Sequence, residues 1–425
     1  MTALRPLIFN LHRLIDRCSS PTPTGVDRVD FQHARFLLQL AQQEKRQIQF
    51  IRQQSSVAHL VPLSLAREII HNLEQRWQQG KITPPTIQAN KANYLRKLPV
   101  TWWHKHTNNL VTPAIKQAIN NTPPPIYLHS GHGTLHHLTL HQQIQQTLNA
   151  SGVYYLHDLI PIDFPEYTNN PKALQMHQRR MHAMATTGTL ILANSQDSKQ
   201  GFIRYCQKHN LPAPEIEALL IGVEERIISA AKQLAQPIPA RYQQALQTPY
   251  FITIGTIEPR KNHILLLHLW RQLAQKYGEQ CPKLVILGKR GWKIDNLIHL
   301  LDQAPALRKH VVEVNDASDQ DMIALLQHSK ALLFPSFAEG WGMPLAEALT
   351  LGTPAICADI PALHECGREN ALYLDPLDGP GWKQAILQQL KQNNLSERTK
   401  GYIPDRWDNH LQKLKDHIHR LDNCS

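Results

Sequence analysis

The chain has 425 residues, more than one ordinary hydrophobic core accommodates, which predicts two domains. With 42% hydrophobic and 19% charged residues it has the composition of a soluble globular protein, and the net charge of +11 (45 basic, 34 acidic) admits acidic partners. No apolar stretch approaches the roughly 20 residues that span a bilayer, and the six cysteines, Cys18, Cys206, Cys281, Cys357, Cys366 and Cys424, form no C-x-x-C, which reads as a reducing cytosol without structural zinc.

In the first half, Leu7 to Leu11 reads as a strand, and its polar Asn10 with the following His12 and Arg13 argues against a signal peptide. Thr24-Gly-Val-Asp-Arg28 then opens a helix expected over Asp30 to Glu44. Gly25 suits close backbone approach to a ligand and Arg28 suits an anion. No Walker lysine and no G-x-G-x-x-G accompany them, which argues against a phosphate-hydrolysing motor or a dinucleotide dehydrogenase. Further strands are expected at Gln47 to Arg52, Pro125 to His129, Gly152 to Leu156 and Thr189 to Ala193, with helices at Pro171 to Thr186 and Ser198 to His209. The interval Leu60 to Thr122 reads as helical and polar, and its place in the fold is not evident.

Between Gln75 and His157 there is no acidic residue, while Arg76, Lys81, Lys91, Arg96, Lys97, Lys105 and Lys116 accompany Trp102-Trp103. Such a stretch (76–116) can lie on an anionic membrane face. A solvated basic surface is the plain alternative, and nucleic acid is not expected. His129, His132, His136, His137 and His141 are dense but lack cysteine partners or fixed ligand spacing, so no metal is expected there. His157-Asp158 ends a strand, where a histidine can hydrogen-bond or shuttle a proton; a structural histidine beside a capping aspartate is the alternative.

The second half alternates strand and helix: strands at Tyr250 to Ile254, Lys283 to Leu287, Val311 to Val314, Lys330 to Phe334, Ala355 to Ala358 and Ala371 to Leu374, with helices at Ile264 to Tyr277, Ile294 to Leu301, Gln320 to His328 and Pro380 to Gln392. This order builds a parallel sheet covered on both faces, with ligands at the carboxyl ends of its strands. At those ends lie Thr256-Ile-Glu-Pro-Arg-Lys-Asn262 and Phe334-Pro-Ser-Phe-Ala-Glu-Gly-Trp-Gly-Met-Pro-Leu-Ala-Glu347. Gly340 and Gly342 admit a ligand to the backbone, Pro344 suits the first helical position, and the helix start offers an anion site. Arg260 and Lys261 can offset a diphosphate without a metal. Glu339 on the loop and Glu347 one turn into the helix suit diols rather than phosphates. Asp319-Gln-Asp321 resembles a divalent-metal D-x-D, but Ser318 before it makes a capping box the better account. Spaced Trp407, Leu411, Leu414 and Ile418 predict a closing helix.

Together these residues resemble the retaining GT-B glycosyltransferases of glycosyltransferase family 4. The resemblance is carried by Gly255-Thr-Ile-Glu-Pro-Arg-Lys-Asn262, Leu287-Gly-Lys-Arg-Gly-Trp292, Phe334 to Glu347 and Gly352-Thr-Pro354, with Tyr154 to Pro161, Ala193-Asn-Ser195 and Gly222-Val223 in the first half. It implies two Rossmann-like doubly wound domains facing a cleft: an acceptor domain at 1–225, a donor domain at 226–400, and a helix at 401–425 crossing back to the first. The domains would close about a linker near residue 225.

The resemblance further implies a nucleotide-diphosphate sugar, GDP-mannose by type, and a glycan or lipid-linked acceptor in bacterial surface polysaccharide synthesis, on the capsule, O-antigen or lipopolysaccharide pattern. The enzyme would be cytoplasmic or peripheral on the inner face of the plasma membrane, without cofactor or metal. In this scheme His157, Arg260, Lys261 and Glu339 are catalytic. Gly255, Thr256, Gly288, Gly340, Trp341, Gly342, Met343, Pro344 and Glu347 hold the donor, Glu347 on the ribose. Gly25, Arg28 and Asp158 lie on the acceptor side. Many relatives carry arginine where this chain has Thr256. A GT-B epimerase or phosphorylase, or a non-catalytic binding partner, is the alternative.

Overall fold

The computed structural model describes residues 4–54, 57–77, 110–120, 122–392, 397 and 399–423. Most of the basic interval 76–116, including Trp102-Trp103, and Cys424 lie outside them. The chain divides into two units, one of Met1–Ile162, Leu174–Leu220 and Asp408–Ser425, the other of Asp163–Ala173 and Ile221–Trp407.

The first unit is built on a sheet of seven strands: β1 Leu7–Asn10, β2 Ile48–Gln54, β3 Val57–Val61, β4 Ile126–His129, β5 Ser151–Leu156, β6 Leu190–Ala193 and β7 Glu215–Ala218. Their order is β3-β2-β1-β4-β5-β6-β7, parallel except for the antiparallel pair β2–β3. The central strands β1, β4 and β6 are buried at every position, as a sheet covered on both faces requires. On one face Ile8, Tyr127, Tyr154, Met181 and Phe202 join a single apolar cluster.

The second unit carries six parallel strands: β8 Tyr250–Ile254, β9 Lys283–Leu287, β10 Val311–Val314, β11 Leu332–Phe334, β12 Ala355–Ala358 and β13 Leu372–Leu374, in the order β10-β9-β8-β11-β12-β13. Phe251, Trp270, Leu284, Leu333, Ile356 and Trp382 pack together in its core. Trp270 Nε1–H donates to the Pro282 carbonyl (2.8 Å) and Trp382 Nε1–H to the Asp375 carbonyl (2.9 Å), so neither indole is buried at the cost of an unmade hydrogen bond.

Several expectations change. β3 and β7 were not foreseen, and neither were the helices Leu138–Leu148 and Pro361–Gly367, while the helix Leu63–Trp77 lies in the interval read as helical. The helix expected from Asp30 begins at Gly25 and runs to Gln43, because Thr24 and Asp27 form a reciprocal capping box. The break expected at 225/226 falls at Leu220/Ile221: the Val223 N–H donates to the Asp405 carbonyl (2.8 Å), and Val223 bridges Arg406, which holds this stretch in the second unit. Asp163–Ala173 also belongs to that unit, since Tyr167 stacks on Phe337 (5.8 Å) and its carbonyl accepts from Trp292 Nε1–H (2.8 Å). The closing helix runs Trp407–Asp422, and Asp408 onward belongs to the first unit.

A Cβ on Gly222 would overlap the Trp407 backbone, which cannot rotate away. Gly222→Ala is therefore expected to cost about 1–3 kcal/mol. Gly201→Ala, which meets only the flexible Leu159 side chain at 3.0 Å, is expected to cost much less. Thermal and urea midpoints of both variants against wild type check this.

Candidate active site

In the second unit the carboxyl ends of β8, β9 and β11 are drawn together by close backbone packing. Gly255 follows β8 at φ +139°, and a Cβ there would press on Lys261 Cε at 3.1 Å. A Cβ on Gly288, after β9, would fall on the Gly255 carbonyl oxygen. The Gly291 N–H donates to the Ile257 carbonyl (2.9 Å) and the Phe337 N–H to the Arg260 carbonyl (2.9 Å). Three loops remote in sequence thus share one backbone mesh, in which Gly255 and Gly288 are needed by the loops themselves.

On this mesh lies a network of four charges. Glu339 Oε1 accepts from Lys261 Nζ (2.7 Å), and Glu339 Oε2 pairs with Arg260 Nη1 (2.8 Å). Arg260 also donates through Nη2 to Glu258 (2.6 Å) and through Nη1 to the Ala338 carbonyl (2.5 Å). Lys261 Nζ sits 4.5 Å over the Phe334 ring. Burial alone would raise the Glu339 pKa, but Arg260 and Lys261 overcome it and bring it down to about 2. Burial, with Arg260 nearby, lowers the Lys261 pKa against the opposing pull of Glu339. The structure therefore joins Arg260, Lys261 and Glu339, read from the sequence as separate contacts, in one electroneutral cluster with Glu258, which the sequence reading passed over. Each Glu339 oxygen still has lone-pair capacity for a hydroxyl, and the Lys261 ammonium has three donors.

Gly342 caps the helix Met343–Thr350 at φ +117°, where a Cβ would strike Leu363 at 2.7 Å. Pro344 takes the second helical position, not the first, and the first turn holds no acidic residue. The Leu345 and Ala346 N–H groups both donate to the Gly342 carbonyl (2.9 and 3.2 Å), so part of the helix start is already satisfied. Gly340 is half-buried, Glu347 is 6% exposed on the helix, and Trp341 is buried with its Nε1–H unpartnered among the described residues. Thr256 is exposed. A cavity of about 450 Å³ adjoins the network through Glu258 and is bounded by Tyr167, Asn262, His263, Lys293 and Phe337. Asp319-x-Asp321 is accounted for locally: Ser318 and Asp321 make a capping box, and Asp319 pairs with Arg226 (2.5 Å).

The first unit has its own cluster at the carboxyl ends of β1, β4 and β5. His157 follows β5, is buried, and donates from Nε2 to the Ser130 carbonyl (2.6 Å). Its backbone N–H donates to His132 Nε2 (3.2 Å), and the two rings meet edge to face at 4.8 Å. Burial pushes the His157 pKa down to about 4, with Ser130 and Asp158 opposing. Asp158 Oδ1 accepts from the Ile160 N–H (3.1 Å). Gly25 is exposed at the first position of the helix Gly25–Gln43, and Arg28 is half-buried. The buried anion of the Thr24-to-Arg28 motif is Asp27, which pairs with Arg13 (2.6 Å) and Arg17 (3.1 Å). Sequence reasoning missed Arg13 and Ser130; their one signal is position, just past β1 and β4. Two of the clustered histidines make packing contacts: His129 Nε2 meets Thr134 Oγ1 (3.1 Å), and His141 stacks on Tyr127 (6.0 Å).

Residues 236–406 match the family described as Glycosyl transferases group 1, so this part of the chain is a glycosyltransferase group 1 domain. Its relatives include the O-antigen chain mannosyltransferase B of Escherichia coli, 30% identical over 58% of this chain and 63% of that protein. The serotype-specific mannosyltransferase WbdA of Escherichia coli is 40% identical over 29% of this chain and 15% of that protein. The chain thus spans less than two thirds of the length of either relative. Anabaena HepE, solved in complex with UDP-glucose, superposes with a TM-score of 0.62 at 13% identity, over 98% of this chain and 99% of that one. With two Rossmann-like units and this likeness, the fold is GT-B. No helix of the described residues is long and apolar enough to cross a membrane.

The charge network makes a pH prediction. A depressed carboxyl pKa stabilises the fold above the unfolded value of 4.5, and that stabilisation is lost as pH falls towards 2. Glu339→Gln is therefore expected to be about 3 kcal/mol less stable than wild type at pH 7. The difference should shrink steadily below pH 4.5. Denaturant midpoints measured between pH 7 and pH 3 check both parts.

Proposed function

We propose that this chain transfers a hexose from a nucleotide-diphosphate sugar to a glycan or lipid-linked acceptor, with retention of anomeric configuration, in the synthesis of a bacterial surface polysaccharide. The observation that carries the proposal is the Arg260–Glu339–Lys261 network, set at the carboxyl ends of a parallel sheet inside the glycosyltransferase group 1 domain. Ligands in such sheets bind at those ends.

In this reading Glu339, held ionised between its two cations, accepts hydroxyls of the donor sugar on its remaining lone pairs. Lys261 spends one ammonium donor on Glu339 and turns the others to the diphosphate, while Arg260 holds Glu339 and adds charge. The start of the helix Met343–Thr350, with Gly340 to Pro344 leading into it, stabilises the same anion through its dipole. These fixed positive groups offset the charge that develops on the departing diphosphate, which is why no metal is invoked. Glu347 accepts the ribose diol. Gly255, Thr256 and Gly288 shape the floor. His157, Asp158, Gly25 and Arg28 belong to the acceptor-side unit. No carboxylate presents itself as a nucleophile, so front-face attack assisted by the departing phosphate is the favoured route to retention.

GDP-mannose is the proposed donor, because relatives 30% and 40% identical over the matched parts are named as mannosyltransferases. UDP-glucose is the competing donor, since HepE was solved with it. The basic interval 76–116 is the proposed membrane contact, placing the enzyme on the inner face of the plasma membrane.

Calorimetric titration with GDP-, UDP-, dTDP- and CMP-sugars is expected to find one nucleotide class that binds. Glu347→Ala, which loses charge-assisted hydrogen bonds to the ribose, should weaken that binding by about tenfold or more. Absence of binding by every nucleotide, tested with membranes and acceptor glycan present, would remove the transferase reading.

A further inference from the structure

The first unit contains a chain of hydrogen bonds whose direction the structure determines. His410, on the closing helix, has Nδ1 2.7 Å from the Leu220 carbonyl. A carbonyl only accepts, so His410 carries its proton on Nδ1, and as a neutral ring its Nε2 is an acceptor. His410 Nε2 lies 2.7 Å from His33 Nε2, which must therefore donate. Neutral His33 then accepts at Nδ1, where the Ser130 hydroxyl lies at 2.6 Å and donates. The carbonyl of the same Ser130 accepts from His157 Nε2–H at 2.6 Å. All four side chains are buried, and burial disfavours a charged form of each ring. The sequence runs Ser130 hydroxyl to His33, His33 to His410, and His410 to the Leu220 carbonyl. Ser130 is the junction: its hydroxyl enters this chain and its carbonyl holds His157.

One consequence concerns His157 itself. With the proton fixed on Nε2, Nδ1 is a lone-pair acceptor that makes no hydrogen bond among the described residues. Around the ring stand His132, Tyr155, Asp158, Arg13 and Asp27; around the His33–His410 pair stand Tyr155, Ser130, His157 and Lys413. None of these donates to Nδ1.

We propose that Ser130, backed by His33 and His410, is a positioning unit that locks His157 as its Nε2–H tautomer, so that His157 meets a substrate hydroxyl as a hydrogen-bond acceptor through Nδ1. The closing helix enters the active machinery of the first unit by this route, through a side chain that touches no substrate. The proposal rests on the glycosyl-transfer reading for the hydroxyl that Nδ1 meets, but the tautomer itself can be read without catalysis.

The test has two arms on the full-length protein. In the first, long-range proton–nitrogen NMR of the histidine-labelled chain, with the His157 signals assigned by their loss in His157→Gln, reads which ring nitrogen is protonated. Nε2–H is expected in wild type, and a mixture of tautomers in Ser130→Ala and His410→Ala, which keep the Ser130 carbonyl but release it from the hydroxyl anchor that holds it under His157. In the second arm, the same alanine variants are expected to lose about tenfold in kcat, roughly 1.4 kcal/mol of barrier, with KM for the nucleotide sugar within about twofold. Ser130→Thr keeps the hydroxyl, and His410→Gln keeps one acceptor and one donor; both should retain the wild-type tautomer and most of kcat. Protonation of wild-type His157 on Nδ1, or an unchanged tautomer and kcat in the alanine variants, overturns the proposal. Should an alanine variant fail to fold, wild type, Ser130→Thr and His410→Gln still decide. Should wild type transfer no sugar, the functional reading falls while the NMR arm still decides the tautomer.

Discussion

The ion-pair network around Glu339 is the constraint on which the second unit's site depends. Arg260 and Lys261 are adjacent in sequence and both largely buried. Two cations so placed repel, and each has lost much of its water; a carboxylate between them is what makes the arrangement tenable. Glu339 comes from the loop after β11, 78 positions from Lys261, so the same contact that neutralises the cations also ties two strand ends together. Arg260 reinforces the tie with the Ala338 carbonyl, and Phe337 returns a backbone hydrogen bond to Arg260. Loop geometry and electrostatics are one feature here. A site built this way arrives already organised, which is what stabilising a developing charge requires.

How much of this the sequence discloses depends on where each element lies. Strands β8, β9 and β12 were legible to the residue, because a strand covered on both faces is a short continuous apolar run; β10, a partly buried edge strand, was legible from its β-branched valines instead. Strand β7, Glu-Ile-Glu-Ala218, is an edge strand and only partly buried, so it carries no such run. Strand β3 sits at the opposite edge, paired on one side to β2. The start of the helix at Gly25 was a different kind of miss. The pattern Thr24-x-x-Asp27 is itself a capping-box signature, and its reciprocal hydrogen bonds outweigh the low helix propensity of Gly25. The assignment of Asp163–Ala173 to the second unit had no local signal at all; it depends on Tyr167 finding Phe337 and Trp292, more than a hundred residues on.

For the site, the residue types were legible and their partners were not. Strand order places Arg260, Lys261 and Glu339 at the carboxyl end of the same sheet, which a βαβ reading supplies. That they pair with one another, and that Glu258 completes the group, follows from side-chain reach across loops, which no spacing encodes. The histidines show the same limit more sharply. Of 24 in the chain, the sequence singled out His157 from its place after a strand. The residues that orient it lie 27 positions away at Ser130 and, behind Ser130, at His33 and His410, themselves 377 positions apart.

The Glu339 network and the histidine cluster of the first unit handle buried polarity differently. In the second unit, opposite charges are brought into contact, and Glu339 stays ionised down to about pH 2. In the first, burial pushes His33, His129, His132 and His410 towards the neutral form, and it raises the Asp30 pKa to about 8, with Arg13 opposing and Asp27 assisting. Arg13 spends its charge on Asp27, where its Nε lies 2.6 Å from the carboxylate. A carboxyl raised in the folded state favours folding less as pH climbs from its unfolded value, so Asp30 subtracts stability where Glu339 adds it. The division fits the chemistry each unit would serve. A diphosphate leaving group needs fixed charge, and an ion-pair network supplies it without mobile protons. A hydroxyl needs a directional acceptor, and a neutral imidazole whose tautomer is fixed by its neighbours provides one without placing a charge on the acceptor side.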